Sequence, residues 1–214
     1  MSLPVLYSFR RCPYAMRARM ALSVAGQKVR LREVVLRDKP PSLLEFSPKA
    51  QVPVLVLPKG QVLEESMDIM YWALQQADPD GWLAPLQSQG SEVSSLIEAN
   101  DGDFKRNLDR YKYSTRYEGE DPLQHRTEAE TFLKLLDDRL HKHAFLFGDR
   151  LSLADVAIAP FIRQFANTDR AWFDSTPYAA LQGWLERFLE SNLFLSCMKK
   201  HKQWHSGDPP TTMG

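Results

Sequence analysis

Leu3-Pro4-Val5-Leu6-Tyr7-Ser8-Phe9-Arg10-Arg11-Cys12-Pro13-Tyr14-Ala15-Met16-Arg17-Ala18-Arg19 is the stretch on which the reading of this chain turns. Residues 3–9 are short, apolar and β-rich, which predicts a strand. Pro13 suits the first turn of a helix, where its missing N–H is no loss. Helix formers continue to Ala25, and Gly26 supplies a natural stop. The order is strand, Cys-Pro, helix, with Cys12 at or next to the helix N-cap. Unpaired amides and the positive end of the helix dipole favour a thiolate there. Arg10, Arg11 and Arg17 are close in sequence and would add to that effect. The rival reading is a buried structural cysteine. A Cys-Pro helix opening turns the thiol toward the loop rather than the core, which favours the reactive reading. The motif is Cys12-Pro13-Tyr14-Ala15, so the second cysteine of a dithiol redox pair is missing. A lone thiolate forms a mixed disulfide that an external thiol must resolve.

Working outward, Val29 to Val35 reads as a second strand, and Pro40-Pro41 opens a short helical or irregular piece ending near Phe46. Val54-Leu55-Val56-Leu57 and Gln61-Val62-Leu63 flank Pro58-Lys59-Gly60 as a hairpin. Ser66 to Ala77 is helical, with Ile69, Met70, Ala73 and Leu74 at core spacing. The order β-α-β-(α)-β-β-α is the thioredoxin-like arrangement. Asp78-Pro79-Asp80-Gly81-Trp82-Leu83-Ala84-Pro85 is a turn-rich break. Beyond residue 88 there is no β-rich alternation, and helices are expected over 89–116, 123–143, 152–168, 177–191 and 192–203. The predicted architecture is α/β plus all-α. A thioredoxin-like domain covers 1–78, a linker 79–88, an all-helical domain 89–205 and a fraying tail 206–214. Within the second domain, Leu151-Ser152-Leu153-Ala154-Asp155-Val156 is a capping box. Ser152 and Asp155 cap each other's amides, and Leu151 and Val156 form a hydrophobic staple. That role is structural.

Composition narrows the function classes. The 214 residues are 43% hydrophobic and 25% charged, enough to bury a core without disulfide or metal staples. Lys+Arg and Asp+Glu balance at 27 each, so no global field draws the chain to nucleic acid or anionic membrane. Two cysteines, Cys12 and Cys197, argue against a secreted disulfide scaffold and for a reducing compartment. Met1-Ser2-Leu3-Pro4-Val5 has no basic region followed by a long apolar run, and no apolar stretch approaches the roughly 20 residues of a membrane span. A cytoplasmic location is expected, with no nucleic-acid or membrane partner. Neither G-x-G-x-x-G, P-loop nor H-E-x-x-H occurs.

Further candidates follow from the fold reading. Pro53 enters a strand after Val52, a place where a cis bond turns backbone groups toward the cysteine; a trans turn proline is the alternative. Glu65-Ser66 precedes a helix whose terminal amides, with the hydroxyl, would hold a carboxylate; an ordinary N-cap at Ser66 is the plainer role. Cys197, His201 and His205 recur at i, i+4, a spacing for metal ligands on one helix face. Without further ligands a solvated helix end is the better reading, and no metal is expected. Tyr111-Lys112-Tyr113 and Trp172 read as packing residues.

The run Tyr7 to Arg19 resembles the opening of the cysteine-type glutathione transferases, the omega class in particular. The resemblance continues through Asp38-Lys39-Pro40, Gln51-Val52-Pro53-Val54-Leu55 and Leu63-Glu64-Glu65-Ser66, and recurs in Gly148-Asp149-Arg150-Leu151-Ser152-Leu153-Ala154-Asp155. It spans both domains in order. The N-terminal extension of the animal omega enzymes is absent, which suggests a bacterial-type relative. The resemblance implies that Cys12 is the nucleophile and glutathione the co-substrate. Lys39 would face the glycine carboxylate, Val52 before a cis Pro53 would pair with the cysteinyl backbone, and Glu65 with Ser66 would hold the γ-glutamyl group. Tyr14, Tyr111 and Trp204 would border the electrophile site.

The expected activity is glutathione-dependent thiol transfer: deglutathionylation, disulfide or dehydroascorbate reduction through a Cys12–glutathione mixed disulfide. One rival is a conjugating transferase using a Tyr7 or Ser8 hydroxyl. Another is a non-catalytic module that binds a protein partner. The resemblance also implies a homodimer, for which Met67, Met70, Tyr71, Leu74, Ile97 and Phe104 offer apolar surface.

Overall fold

The computed structural model describes residues 2–214. They form two units: one made of residues up to Asp80 together with Ser191–Gly214, the other of Gly81–Glu190.

In the first unit, β1 (Val5–Ser8) leads into α1 (Pro13–Val24) and then β2 (Val29–Glu33), which lies parallel to β1. The short α2 (Pro41–Phe46) precedes the antiparallel pair β3 (Val54–Val56) and β4 (Val62–Leu63), and α3 (Ser66–Gln76) follows. β3 runs antiparallel to β1, with Tyr7 opposite Val54. Gly26 stands at φ +62 behind α1, where a side chain would strain the backbone. Leu6, Tyr7, Val54 and Leu55 are buried at the sheet centre, and nearly all of α1 is buried, including Arg17 and Arg19. A helix apolar over most of its circumference must be covered on more than one side, and α1 packs on both α3 and the late helix α10 (Asn192–Cys197).

The tail differs from expectation. Residues 206–214 do not fray: Thr211–Met213 forms β5, antiparallel to β2 with Leu31 opposite Thr211 and Val29 opposite Met213. The sheet order is β4-β3-β1-β2-β5. The β-branched Thr211 and Thr212 suit a strand and cover the edge that β2 would otherwise expose. The helix expected over 192–203 ends at Cys197, before a run of lysines whose like charges disfavour further turns. Residues 191–205 therefore group with the first unit rather than with the helical domain expected over 89–205.

In the second unit, α4 (Ala84–Ala99) begins inside the expected linker. Pro85 sits in its first turn as Pro13 does in α1, and Gln89 is non-helical at φ −136, ψ 32, a kink at the expected helix start. The single helix expected over 89–116 is broken. A π-turn occupies Asn100–Phe104, α5 spans Lys105–Lys112 and a 3-10 turn follows at Ser114–Arg116. Asn100-Asp101-Gly102-Asp103 is a cluster of poor helix formers, which accounts for the irregularity. Then come α6 (Pro122–Leu140), α7 (Leu153–Ala166), the unforeseen α8 (Arg170–Ser175) and α9 (Ala179–Glu190).

The capping box at Ser152 and Asp155 opens α7. Asp155 is fully buried and accepts from Ser152 N at 3.0 Å, Ser152 Oγ at 2.6 Å, Leu146 N at 2.9 Å and Trp184 Nε1 at 2.9 Å. Burial pushes its carboxyl up, and these donors pull it back. Four of the residues offered as dimer surface are spent inside the chain: Met70, Leu74, Ile97 and Phe104 are buried, Phe104 making tilted ring contacts with Phe132 and Phe165. Met67 and Tyr71 are half-buried. No helix of the described residues is long and apolar enough to cross a membrane.

Candidate active site

The end of β1 turns through Phe9–Cys12, closed by Cys12 N donating to Phe9 O at 2.9 Å. Cys12 is the N-cap of α1, with extended dihedrals of φ −77 and ψ 122, and its carbonyl accepts the first helical bond from Met16 N at 3.0 Å. The thiol is half-buried, and Sγ lies 3.5 Å from the carbonyl oxygen of Val52. The Val52–Pro53 bond is cis. Just upstream, Ala50 holds φ 50 in a turn closed by its N–H to Ser47 O at 2.8 Å. A left-handed alanine carries backbone strain of order 1 kcal/mol or more.

Ser66 is the first residue of α3 rather than its N-cap, which is Glu65. The buried Ser66 hydroxyl accepts from Arg17 Nη1 at 3.3 Å, and the Arg17 guanidinium lies 5.4 Å from the Tyr14 ring centroid. Glu65 is exposed and paired with Lys49 at 3.0 Å. That contact holds the Lys49 ammonium above its usual range. Lys39 lines a cavity of about 670 Å³ with Arg30, Arg32, Ser42, Gln203 and Trp204. Neither Cys12 nor Val52 borders that cavity. Trp204 nonetheless packs with Cys12 on the cluster of Tyr7, Val34, Leu43, Val52, Val54 and Val56, and the Arg32 guanidinium sits 3.9 Å from its ring centroid.

A half-buried thiol at a helix start, a backbone carbonyl beside it and an α3 hydroxyl paired with an α1 guanidinium make a setting for a peptide-like thiol. Residues 6–81 match the glutathione S-transferase N-terminal domain, and residues 95–187 match the glutathione S-transferase C-terminal domain. A probable glutathione S-transferase, MSR-1, from Nicotiana plumbaginifolia is 30% identical over 168 residues, 75% of this chain and 73% of the relative. This chain belongs to the glutathione S-transferase family.

Glutathione S-transferase omega-1 of Mus musculus is 28% identical to this transferase over 159 residues, covering 74% of this chain and 65% of the mouse protein. A glutathione transferase family member from Pseudomonas fluorescens, solved with two glutathione bound, superposes with a TM-score of 0.78 at 20% identity, covering 92% of each chain. The fold is that of the family: a thioredoxin-like N-terminal domain and a helical C-terminal domain.

Several sequence readings of the transferase need correction. Tyr111 is a core residue of the helical unit, its ring 5.3 Å from Phe165, and burial pushes its phenol up. Cys197, His201 and His205 share no helix face, because α10 stops at Cys197. Among the described residues no group of three metal-ligating side chains gathers. Arg17 serves Ser66, and Arg11 lies over the Phe9 ring at 5.3 Å. Tyr7 and Ser8, the rival hydroxyls, are fully buried. Tyr7 Oη donates to Ser42 Oγ at 2.8 Å and accepts from Arg32. The Lys49–Glu65 pair, the Arg17–Ser66 contact and the burial of Glu33 are not foreshadowed in the sequence. Lys49 and Glu65 are 16 positions apart, a pairing that no local pattern reveals.

Proposed function

We propose that this transferase works through Cys12 by glutathione-dependent thiol transfer, as an omega-like member of the family. The observation that carries the reading is the Cys12 thiol at the first turn of α1, 3.5 Å from the Val52 carbonyl. In the first step the Cys12 thiolate attacks the glutathionyl sulfur of a mixed disulfide. The Cys12–glutathione disulfide forms, and the substrate thiolate leaves and takes up a proton. In the second, a glutathione thiolate attacks that disulfide, restoring Cys12 and releasing glutathione disulfide. Dehydroascorbate reduction consumes two glutathiones and yields the same oxidised product.

Glutathione carries two carboxylates and one ammonium, so it needs complementary groups at separate points. Lys39 would take the glycine carboxylate, the Val52–Pro53 backbone the cysteinyl unit, and Glu65 with Ser66 the γ-glutamyl end. The Lys49 ammonium on Glu65 marks where the ligand's own ammonium would compete, and Arg17 beside Ser66 adds a cation for the neighbouring carboxylate. Tyr14 and Trp204 are the remaining candidates beside the second substrate; the burial of Tyr111 counts against it. Burial of Tyr7 and Ser8 counts against hydroxyl-activated conjugation, and a half-buried thiol counts against a non-catalytic module. The reading includes a homodimer in a reducing, cytoplasmic setting and no metal.

The test is mass spectrometry after exposure to glutathione disulfide, together with turnover on a glutathionylated substrate. One glutathionyl group should add at Cys12, and Cys12→Ala should lose both adduct and turnover. Full reductase activity in Cys12→Ala would place the nucleophile elsewhere, while a gain of conjugating activity would favour the hydroxyl reading.

A further inference from the structure

Glu33 ends β2 with a largely buried carboxylate, which is costly unless its oxygens are satisfied. Oε1 accepts from the main-chain N–H of Arg10 at 2.7 Å, and Oε2 from the Arg19 guanidinium at 3.3 Å. Arg10 is the second residue of the turn that ends in Cys12. Arg19 lies on α1 about two turns beyond Cys12. It is buried, and its Nε and Nη2 find no acceptor among the described residues. The Glu33 carbonyl oxygen accepts from Trp204 N at 2.9 Å. One residue thus holds the turn before the thiol, the helix behind it and the C-terminal segment. The Arg10 side chain is a further charge near it, and His201, Lys202, His205 and Asp208 line with Glu33 a cavity of about 590 Å³. Burial pushes the Glu33 carboxyl up, and the Arg10 N–H and Arg19 pull it back.

We propose that Glu33 is a positioning residue for Cys12, fixing the Phe9–Cys12 turn against α1 and so setting the thiol relative to the first helical amides. This rests on Cys12 being the reacting thiol. A nearby carboxylate also repels a thiolate, so the charge of Glu33 and its hold on the turn act in opposite directions. Losing the charge alone eases thiolate formation. Losing the hold moves the sulfur from the helix N-terminus, whose amides favour the thiolate.

Two substitutions separate these effects. Glu33→Asp keeps the charge but is one methylene shorter and cannot reach both Arg10 N and Arg19. Glu33→Gln keeps the reach and an acceptor for the Arg10 N–H, but it carries no charge and its amide NH2 cannot accept from Arg19, so the tie to the turn stays and the tie to α1 is lost. The measurement is iodoacetamide alkylation of the Cys12 peptide against pH, followed by mass spectrometry so that Cys197 does not contribute. Steady-state reduction of a glutathionylated substrate is measured alongside. Glu33→Asp should raise the alkylation midpoint and lower kcat roughly tenfold or more, with KM for glutathione little changed. Glu33→Gln, which keeps the Arg10 tie and sheds the repelling charge, should raise the midpoint less than Glu33→Asp does and retain more of kcat. A wild-type midpoint and rate in Glu33→Asp overturns the proposal, as does a Glu33→Gln midpoint raised as far as that of Glu33→Asp. If Glu33→Gln does not fold, Glu33→Asp decides alone. Failure of the Cys12 reading looks different: Cys12 of the wild type alkylates, yet Cys12→Ala retains turnover.

Discussion

Replacing Asp155 tests how far one buried carboxylate organises the helical unit. It accepts from three fixed donors, Ser152 N, Leu146 N and Trp184 Nε1, and from the Ser152 hydroxyl. All four residues are buried. In Asp155→Ala the hydroxyl can rotate to another acceptor, but the three N–H groups cannot. A buried donor left unsatisfied costs about 1–3 kcal/mol. Even at the low end the loss is about 3 kcal/mol, a large share of a typical stability of about 5–15 kcal/mol. In Asp155→Asn the retained oxygen can still serve Leu146 and Trp184, and the Ser152 hydroxyl can turn to accept from the new amide. Only the Ser152 N–H is orphaned, so the loss should be about 1–3 kcal/mol. Urea titrations followed by circular dichroism at matched protein concentration give both values. An Asp155→Ala loss below about 1 kcal/mol, or Asp155→Asn costing more than Asp155→Ala, would refute this account of the network.

Other outcomes are open to direct measurement. Lys39→Ala and Ser66→Ala should each weaken glutathione binding by about 1.5–3 kcal/mol, the worth of a contact to a charged group. Calorimetry reads it, with a thermal melt of Ser66→Ala beside it because that hydroxyl also meets Arg17; unchanged affinity in both would overturn the binding assignment. Burial, then Arg19 and Lys199, holds the His201 imidazole below its ordinary 6.5. The unfolded chain therefore takes up this proton first, and stability is lost as pH falls below 6.5. His201→Gln should flatten that acid-side slope, and parallel urea midpoints for variant and wild type between neutral and mildly acid pH would contradict it. Light scattering at micromolar concentration should give the mass of two chains; the mass of one would remove the dimer but not the Cys12 chemistry.

The first half of the chain was legible because its punctuation is local. Pro13 and Gly26 bracket α1, Pro58-Lys59-Gly60 separates β3 from β4, and apolar runs mark the strands. Cys12 could be placed at a helix N-cap from its neighbours alone. What it meets there could not. The approach of its sulfur to Val52 depends on β3 pairing with β1. Arg17 reaches Ser66, 49 positions further along the chain, a contact that no local pattern reveals. β5 was invisible for the same reason as Lys49–Glu65: its partner is far away in the chain, and a short Pro/Thr-rich segment carries no strand signal of its own.

The fifth strand also sets an order of events during synthesis. Its residues, Thr211–Met213, are made long after the rest of the sheet they complete, whose other strands lie within the first 63 residues. Gly81–Glu190 is continuous, and all of it is made before the Ser191–Gly214 segment. At ordinary elongation rates the interval between the end of α3 and the arrival of β5 is on the order of ten seconds. Through that interval the N-terminal sheet has an open edge at β2, where the charged Arg30 and Arg32 discourage premature pairing. The helical unit, whose sequence is uninterrupted, is placed to fold first, although it is encoded second.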